Sequence, residues 1–326
     1  MTILVTGAAG FIGYNVCEAL LGRGETIIGV DIVSDYYDVK LKRARLARLA
    51  RHPAFENLEI DVADAEALLS LAGRSPKIER IVHLAAQAGV RHSLTNPHVY
   101  LQTNVVGHTN ILELARRLPG LAHVVYASSS SVYGNNAKLP FSVEDRVDSP
   151  TSLYGATKQA GELISASYSH LFRIPLTGLR FFSVYGPWGR PDMVMFLFTK
   201  AILEGRPIEV FNNGNMQRDF TFVDDIVAGL VAALDHPPVD NGKDPPHRRY
   251  NLGSNHPEEL MRLIEIIEKA CGKKAIREMK PMQLGDVRAN FADIDLSHRD
   301  LGFAPRTSID VGVPRFVEWY RSYYAT

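Results

Sequence analysis

Cysteine is nearly absent from this 326-residue chain: only Cys17 and Cys271 occur, far apart and each inside an expected helix. Two such residues support neither a disulfide framework nor a zinc site, and a reducing cytoplasm is the expected compartment. Net charge is absent too, since 36 basic residues balance 36 acidic ones, so there is no electrostatic footprint for nucleic acid. The densest basic run, Lys40 to Arg51, alternates with Leu and Ala and reads as a helix with one solvated face. No apolar run reaches membrane-spanning length, and Met1 leads into a strand pattern without a basic and apolar leader. Neither secretion nor membrane insertion is expected. Repeats and low-complexity tracts are missing, and Asp235 to Arg249, with four prolines and two histidines, reads as an exposed loop.

What is present is a chain of ordinary hydrophobicity, 46% apolar, long enough for one large domain and a smaller lobe. Short β-rich runs recur at Ile3 to Thr6, Thr26 to Asp31, Leu58 to Asp61, Ile81 to Ala85, His123 to Ser128 and Leu176 to Phe181. Helical patterns separate them, as in parallel βαβ units. Runs such as Ile27-Ile28-Gly29-Val30 lack alternation, as strands covered on both faces do. The expected fold class is α/β, with a doubly wound parallel sheet in residues 1–181 and a smaller C-terminal α/β lobe in 182–326. The segment 222–240 is expected to return to the first domain. The lobe's helices are placed at Met193 to Glu204, Asp225 to Leu234, Pro257 to Ala270 and Val311 to Tyr324, closing over the carboxyl ends of the strands.

Gly7, Gly10 and Gly13 follow the first strand and precede a helix over Ile12 to Leu21. Glycines there let the backbone turn tightly and approach a pyrophosphate, which the N–H groups at Phe11 and Ile12 and the helix dipole stabilise. A tight turn without a ligand is the alternative. Asp31 ends the second strand, placed to accept from adenosine ribose hydroxyls. No Arg or Lys follows it closely to welcome a 2′-phosphate, which favours NAD over NADP. Asp61, followed by Val62, either takes the adenine amino group or caps the next helix. Leu84, Ala85, Ala86 and Gln87 leave the fourth strand with small residues that admit a cofactor closely, or that pack the core.

Tyr154 and Lys158 lie four apart on one helix face. A free tyrosine titrates near ~10, and a neighbouring ammonium with a positive nicotinamide ring would lower that value, making tyrosinate a base toward a hydroxyl whose carbon loses hydride. Ser128 to Ser131 end the fifth strand, where one hydroxyl can hold the substrate oxygen. Ser129 is the candidate, and the other three read as a polar turn.

Together, Gly7 to Gly13, the set Ser129, Tyr154 and Lys158, and Asn104-Val105-Val106-Gly107 resemble the extended short-chain dehydrogenase/reductase family of nucleotide-sugar enzymes. The resemblance covers nearly the whole chain. It implies a Rossmann first domain with tightly held NAD, to which Asn104 contributes, a nucleoside-diphosphate sugar in the C-terminal lobe, and a homodimer joined through helices of the first domain.

The family oxidises C4 of the sugar and diverges afterwards. Its 4,6-dehydratases carry Asp-Glu where Ser130 and Ser131 stand, and its UDP-glucuronate decarboxylases carry Glu at the position of Ser131, which leaves epimerisation as the simplest outcome. The run Arg180 to Met193, like Ser34 to Asp38, resembles UDP-glucuronate 4-epimerases more closely than UDP-glucose 4-epimerases. Both UDP-glucose epimerisation and decarboxylation to a UDP-pentose stay open as alternatives, as does a non-catalytic NAD-binding protein on the same fold.

On the epimerase reading, Arg190 grips the C6 carboxylate, with Ser183 adding a hydroxyl where the subfamily commonly has Thr. Oxidation at C4 makes a β-keto acid, which loses carbon dioxide when its carboxylate lies perpendicular to the carbonyl plane, and holding it in another orientation suppresses that loss. A structural clamp is the other reading of Arg190. Arg218 and Arg288 match family positions for the pyrophosphate, with salt bridges to Asp219 or Asp286 as the alternative. Arg91 is a further candidate facing the sugar.

Overall fold

The computed structural model describes residues 1–74, 77–283 and 287–326. β1 (Thr2–Thr6), β2 (Thr26–Val30), β3 (Phe55–Leu58), β4 (Arg80–His83), β5 (His123–Ser129) and β6 (Leu176–Phe181) lie parallel in one sheet. β7 (Ser183–Tyr185), β8 (Pro207–Val210) and β9 (Gln217–Phe222) leave it. β10 (His247–Leu252) returns to its edge beside β6, giving seven strands in the order β10-β6-β5-β4-β1-β2-β3. The order reverses between β1 and β4, and a crevice opens there at the carboxyl ends, where ligands of doubly wound sheets bind.

Alternate side chains of one strand serve two cores, as the two-residue period demands. Ile3 and Val5 of β1 join the cluster that includes Val16, Leu20, Ile226 and Leu230, whereas Leu4 joins Ile81, Val124, Ile111 and Leu112. The first cluster belongs to α1 (Phe11–Gly22), which packs against a later helix and against α2 (Val39–Leu49), while α3 (Ala65–Leu69) places Leu68 in the second. The opposite face is covered after α4 (His92–Thr95) and α5 (Pro97–Leu101), by α6 (His108–Arg117) and α7 (Leu153–Phe172). A π-helical turn, Gln102–Gly107, joins α5 to α6. α8 (Val194–Glu204) follows in the lobe, and α9 (Val223–Asp235) comes back to pack on α1 and β5. β11 (Pro257–Glu259) pairs antiparallel with β9 and leads into α10 (Leu260–Cys271). β12 (Ile276–Met279) pairs with β8, and β13 (Ala289–Asn290) joins β9, as β7 does. α11 (Asp295–Leu301) and α12 (Ile309–Tyr324) complete the described chain.

The structure departs from the sequence reading in four places. β3 runs over Phe55–Leu58, earlier than the expected Leu58 to Asp61. It is an edge strand, so Glu56 and Asn57 stand in it partly exposed and mask its apolar signal. The loop expected over Asp235 to Arg249 ends in the first residues of β10, so the large sheet takes a strand from the range assigned to the lobe. Pro257, expected to open a helix, sits in β11 instead. Finally, the basic helix is not solvated on all its charges: Lys42 and Arg45 are buried with Leu41, Leu46 and Leu49. Cys17 and Cys271 are buried and free, and no helix among the described residues is long and apolar enough to cross a membrane.

Candidate active site

The crevice is a groove along the carboxyl ends of β1, β2, β4 and β5. Gly7, Gly10, Phe11, Ile12 and Gly13 line one end of it. Gly7 has φ +75°, and a Cβ there would lie 2.8 Å from the Ala85 nitrogen, so the turn and the exit of β4 touch backbone to backbone. Gly10 caps α1 without a side chain, leaving the first N–H groups of the helix unclaimed by a capping oxygen. This is a cradle shaped for a diphosphate, and the residues present fit a dinucleotide.

Asp31 lies further along, its carboxylate accepting from the N–H groups of Ala9 at 3.0 Å and Val33 at 2.7 Å. Burial raises its pKa, against the pull of Val33 and of Lys42. Lys42, which sequence reasoning left on a wet helix face, lines the groove and donates to the carbonyl and hydroxyl of Ser34 at 2.7 and 2.9 Å. Asp61 and Val62 line the groove as well. Asp61 also accepts from Ala63 N–H at 2.8 Å, while the cap of α3 is Asp64 rather than Asp61. Leu84, Ala85, Ala86 and Gln87 form the floor. Asn104 does not reach the groove surface. It is buried behind Gln87, holding that residue's N–H and C=O at 2.8 and 2.9 Å and the Thr157 hydroxyl at 3.0 Å, so it fixes the floor from below.

Ser129, Tyr154 and Lys158 meet in the same groove. Ser152 caps α7 by accepting from Gly155 N–H at 3.0 Å. Gly155 lets the first turn press onto the end of β5, since a Cβ there would fall 2.5 Å from the Ser131 carbonyl oxygen. The four serines part company. Ser128 donates to Glu162 at 2.5 Å, and Ser130 accepts from Asn290 at 3.1 Å. Ser129 donates to Ser131 at 3.2 Å and faces the groove.

Burial pushes the Tyr154 hydroxyl above its ordinary value, and the neighbouring Ser129 and the charge of Arg190 only partly offset it. Lys158 is buried as well, which brings its ammonium down to about 8, with Glu162 acting the other way. The protein's own residues therefore hold Tyr154 protonated, because desolvation outweighs the nearby positive charge.

Behind Ser128 lies a group that the sequence reading missed: Glu162 binds Arg180 at 2.7 and 2.8 Å, and both are almost wholly buried. Its signal was the spacing Tyr154, Lys158, Glu162, each four residues on, which sets the carboxylate on the catalytic face of α7.

Arg190 lines the groove at its far end. Its Nε and Nη2 donate to Asp192 at 3.0 and 2.5 Å, and Asp192 also accepts from the Tyr36 hydroxyl at 3.0 Å. Among the described residues no acceptor takes its Nη1, which leaves that side to a ligand carboxylate. The other substrate candidates stand apart from this groove. Ser183 pairs with Phe220 in the small sheet, although Phe182 and Val184 beside it line the groove. Arg91 is exposed, its guanidinium 5.0 Å from the centre of the Phe211 ring. Arg218 donates to the carbonyls of Gln217 and Arg288, at 2.8 and 3.2 Å, so the two expected pyrophosphate arginines are neighbours on β9 and the turn before β13. Asp219 accepts from Thr221 and from the N–H groups of Ser254, Asn255 and Ala292, which makes it the pin of the small sheet. Asp286 lies outside the described residues.

Residues 3–253 match the model of the NAD dependent epimerase/dehydratase family. A probable UDP-glucuronate 4-epimerase of Rhizobium meliloti is 46% identical over 336 residues, covering 99% of this chain and 98% of the relative. UDP-glucuronate 4-epimerase 4 of Arabidopsis thaliana is 47% identical over 335 residues, covering 100% of this chain and 76% of the plant protein. Among solved structures, the UDP-glucuronic acid 4-epimerase of Bacillus cereus, in complex with UDP-glucuronic acid and NAD, superposes with a TM-score of 0.89 at 33% identity. That match spans 99% of this chain and 100% of the other. With a diphosphate cradle, a serine-tyrosine-lysine set in one groove and this extent of similarity, the chain belongs to the NAD dependent epimerase/dehydratase family.

Proposed function

We propose that the chain is a UDP-glucuronate 4-epimerase, interconverting UDP-glucuronate and UDP-galacturonate. The observation that carries this is the position of Arg190, which lines the same groove as Ser129, Tyr154 and Lys158 and keeps one guanidinium edge open. A cation at that end, with one edge beyond its Asp192 pair, suits a sugar with a C6 carboxylate better than a neutral one.

The groove from Gly7 to Gln87 would hold NAD, with Asp31 and Lys42 at the ribose end. When bound there, the oxidised nicotinamide supplies a hydride acceptor at C4 and a positive charge close to Tyr154. Ser129 holds the C4 oxygen. Tyr154 takes the hydroxyl proton, and Lys158 stabilises the resulting phenolate. After the 4-keto sugar turns over, Tyr154 returns the proton to the same oxygen with the opposite face of C4 presented. The turn after β5 carries no carboxylate at Ser130 or Ser131 for water elimination, and Ser130 is engaged by Asn290.

Arg218 and Arg288, adjacent on the small sheet, are proposed to take the UDP pyrophosphate, with Ser183 and Arg91 in supporting contacts. On this reading residues 182–326 supply most of the sugar-nucleotide lobe. The exposed Leu101, Val106, Leu163 and Leu171, on the helices of the first domain, favour a homodimer through that face. A cytoplasmic enzyme supplying galacturonate for polysaccharide biosynthesis is consistent with these features.

The test is incubation of the purified protein with UDP-glucuronate, without added NAD, followed by proton NMR. UDP-galacturonate without carbon dioxide is the expected outcome. Carbon dioxide with a UDP-pentose would make it a decarboxylase, and turnover of UDP-glucose alone would remove Arg190 from the site.

A further inference from the structure

Arg45 is fully buried, and its hydrogen-bond partners among the described residues are neutral, with no carboxylate in salt-bridge contact. A guanidinium out of water without a carboxylate is costly unless its N–H groups are well used. Here they span two separate loops. Nη1 donates to the carbonyl of Ala9, in the glycine-rich turn, at 2.8 Å, and to the Tyr37 hydroxyl at 2.7 Å. Nη2 donates to the carbonyls of Trp188 and Gly189 at 2.6 and 3.2 Å. The Nε of Arg45 has no partner among the described residues.

The second loop needs such a hold. Trp188 sits at φ +63°, a left-handed conformation that a bulky residue adopts only under constraint. Its ring is packed among Tyr14, Trp319 and Tyr323, with Arg48 over it. The chain then passes directly through Gly189 to Arg190. Fixing two successive carbonyls before Arg190 to the turn that carries Ala9 sets the distance between the dinucleotide cradle and the carboxylate-binding arginine. The planar fork of arginine is suited to this, since a lysine ammonium would reach one loop or the other.

We infer that Arg45 is a positioning residue for the uronate: it holds Arg190 at the height where the C6 carboxylate is kept in the plane of the C4 ketone. This rests on the proposed epimerase reading. When the C5–C6 bond instead stands perpendicular to that plane, aligned with the π orbitals of the ketone, it breaks and carbon dioxide leaves. The electron pair passes through C5 to the C4 oxygen as an enolate, and water then protonates C5. Arg45 thus acts on the fate of the 4-keto sugar without touching it.

The experiment uses full-length Arg45→Lys and Arg45→Met with UDP-glucuronate labelled with carbon-13 at C6. It measures the ratio of labelled carbon dioxide to UDP-galacturonate. That ratio is a property of each active molecule, so misfolded protein does not change it. The expected result is a rise of about tenfold or more in both variants, with Tyr37→Phe, which removes one partner of Nη1 and keeps the charge, giving a smaller rise even where the Arg45 variants fail to fold. An unchanged ratio, whatever happens to total turnover, overturns the assignment and leaves Arg45 a structural residue. A wild-type protein that does not epimerise UDP-glucuronate overturns the functional reading as well, and is recognised because the control itself is silent.

Discussion

The ammonium of Lys158 donates to the carbonyl of Ala127 at 3.0 Å, tying the second turn of α7 to β5 two residues before Ser129. The bond places a charge in a buried setting, and the charge is strained there, since burial lowers the pKa to about 8. Unfolded lysine titrates near ~10.4, so below about 8 both states are charged and the folded state bears the full desolvation penalty. Between those values the unfolded chain binds more protons, and stability from this group rises with pH. Lys158→Met should therefore raise the melting temperature at pH 7, and the gain should fade as pH approaches 10. A gain that does not depend on pH in thermal scans would refute the account.

Tyr154→Phe removes one hydroxyl from a ring that touches the edge of Tyr100. Packing is kept, so folding and cofactor content should be unchanged. Turnover should fall by about a hundredfold or more, the scale of a lost general base. The check is initial rate alongside the NAD released on denaturation, and a variant with substantial activity would move proton transfer to another group.

Glu162→Gln should destabilise the protein by about 3–5 kcal/mol, because Arg180 would be left buried with an uncompensated charge. The wild-type carboxyl feels burial pushing its pKa up, yet the bonds and charge of Arg180 win and hold it below the usual range. Its contribution is present at neutral pH and is lost as pH falls through that lowered value, so the variant should also flatten the acid limb of stability. Urea unfolding across the acid range measures both effects.

Gly7→Ala places a methyl carbon against the Ala85 backbone at a φ of +75°. Since β1 and β4 are held together below that turn, the sheet should survive and the cradle should distort. The variant is expected to purify with little NAD and to regain part of its activity at high added NAD. Full occupancy would show that the diphosphate does not sit at this turn.

The first βαβ units and the groove they form were readable because their causes are local. A glycine turn after an apolar run, serines at a strand end and a tyrosine four residues before a lysine each carry their meaning in short spacing. Arg45 and Lys42 were misread for the opposite reason. Arg45 takes acceptors from distant loops, Trp188 being 143 positions away, and Lys42 turns back to Ser34, eight positions away; helical periodicity shows a shared face without showing what approaches it. One signal was available: Leu41, Lys42, Arg45, Leu46 and Leu49 fall on one stripe, so two of the charges had to turn inward with the leucines. β10 was lost to a proline-rich stretch because its first residues, His247 to Arg249, are polar and edge-facing, and only Tyr250 to Leu252 carry a buried pattern.

That late strand has a bearing on how such a protein can change. Because β10 completes the large sheet after β7 and β9 have built the small one, and β11 then goes back to β9, the chain laces the two parts like a seam stitched from both sides. Neither part can be cut out and replaced by a foreign piece through a single junction. New sugar preferences must therefore arise by substitution in place, in residues such as those around Arg190, rather than by exchange of a ready-made module.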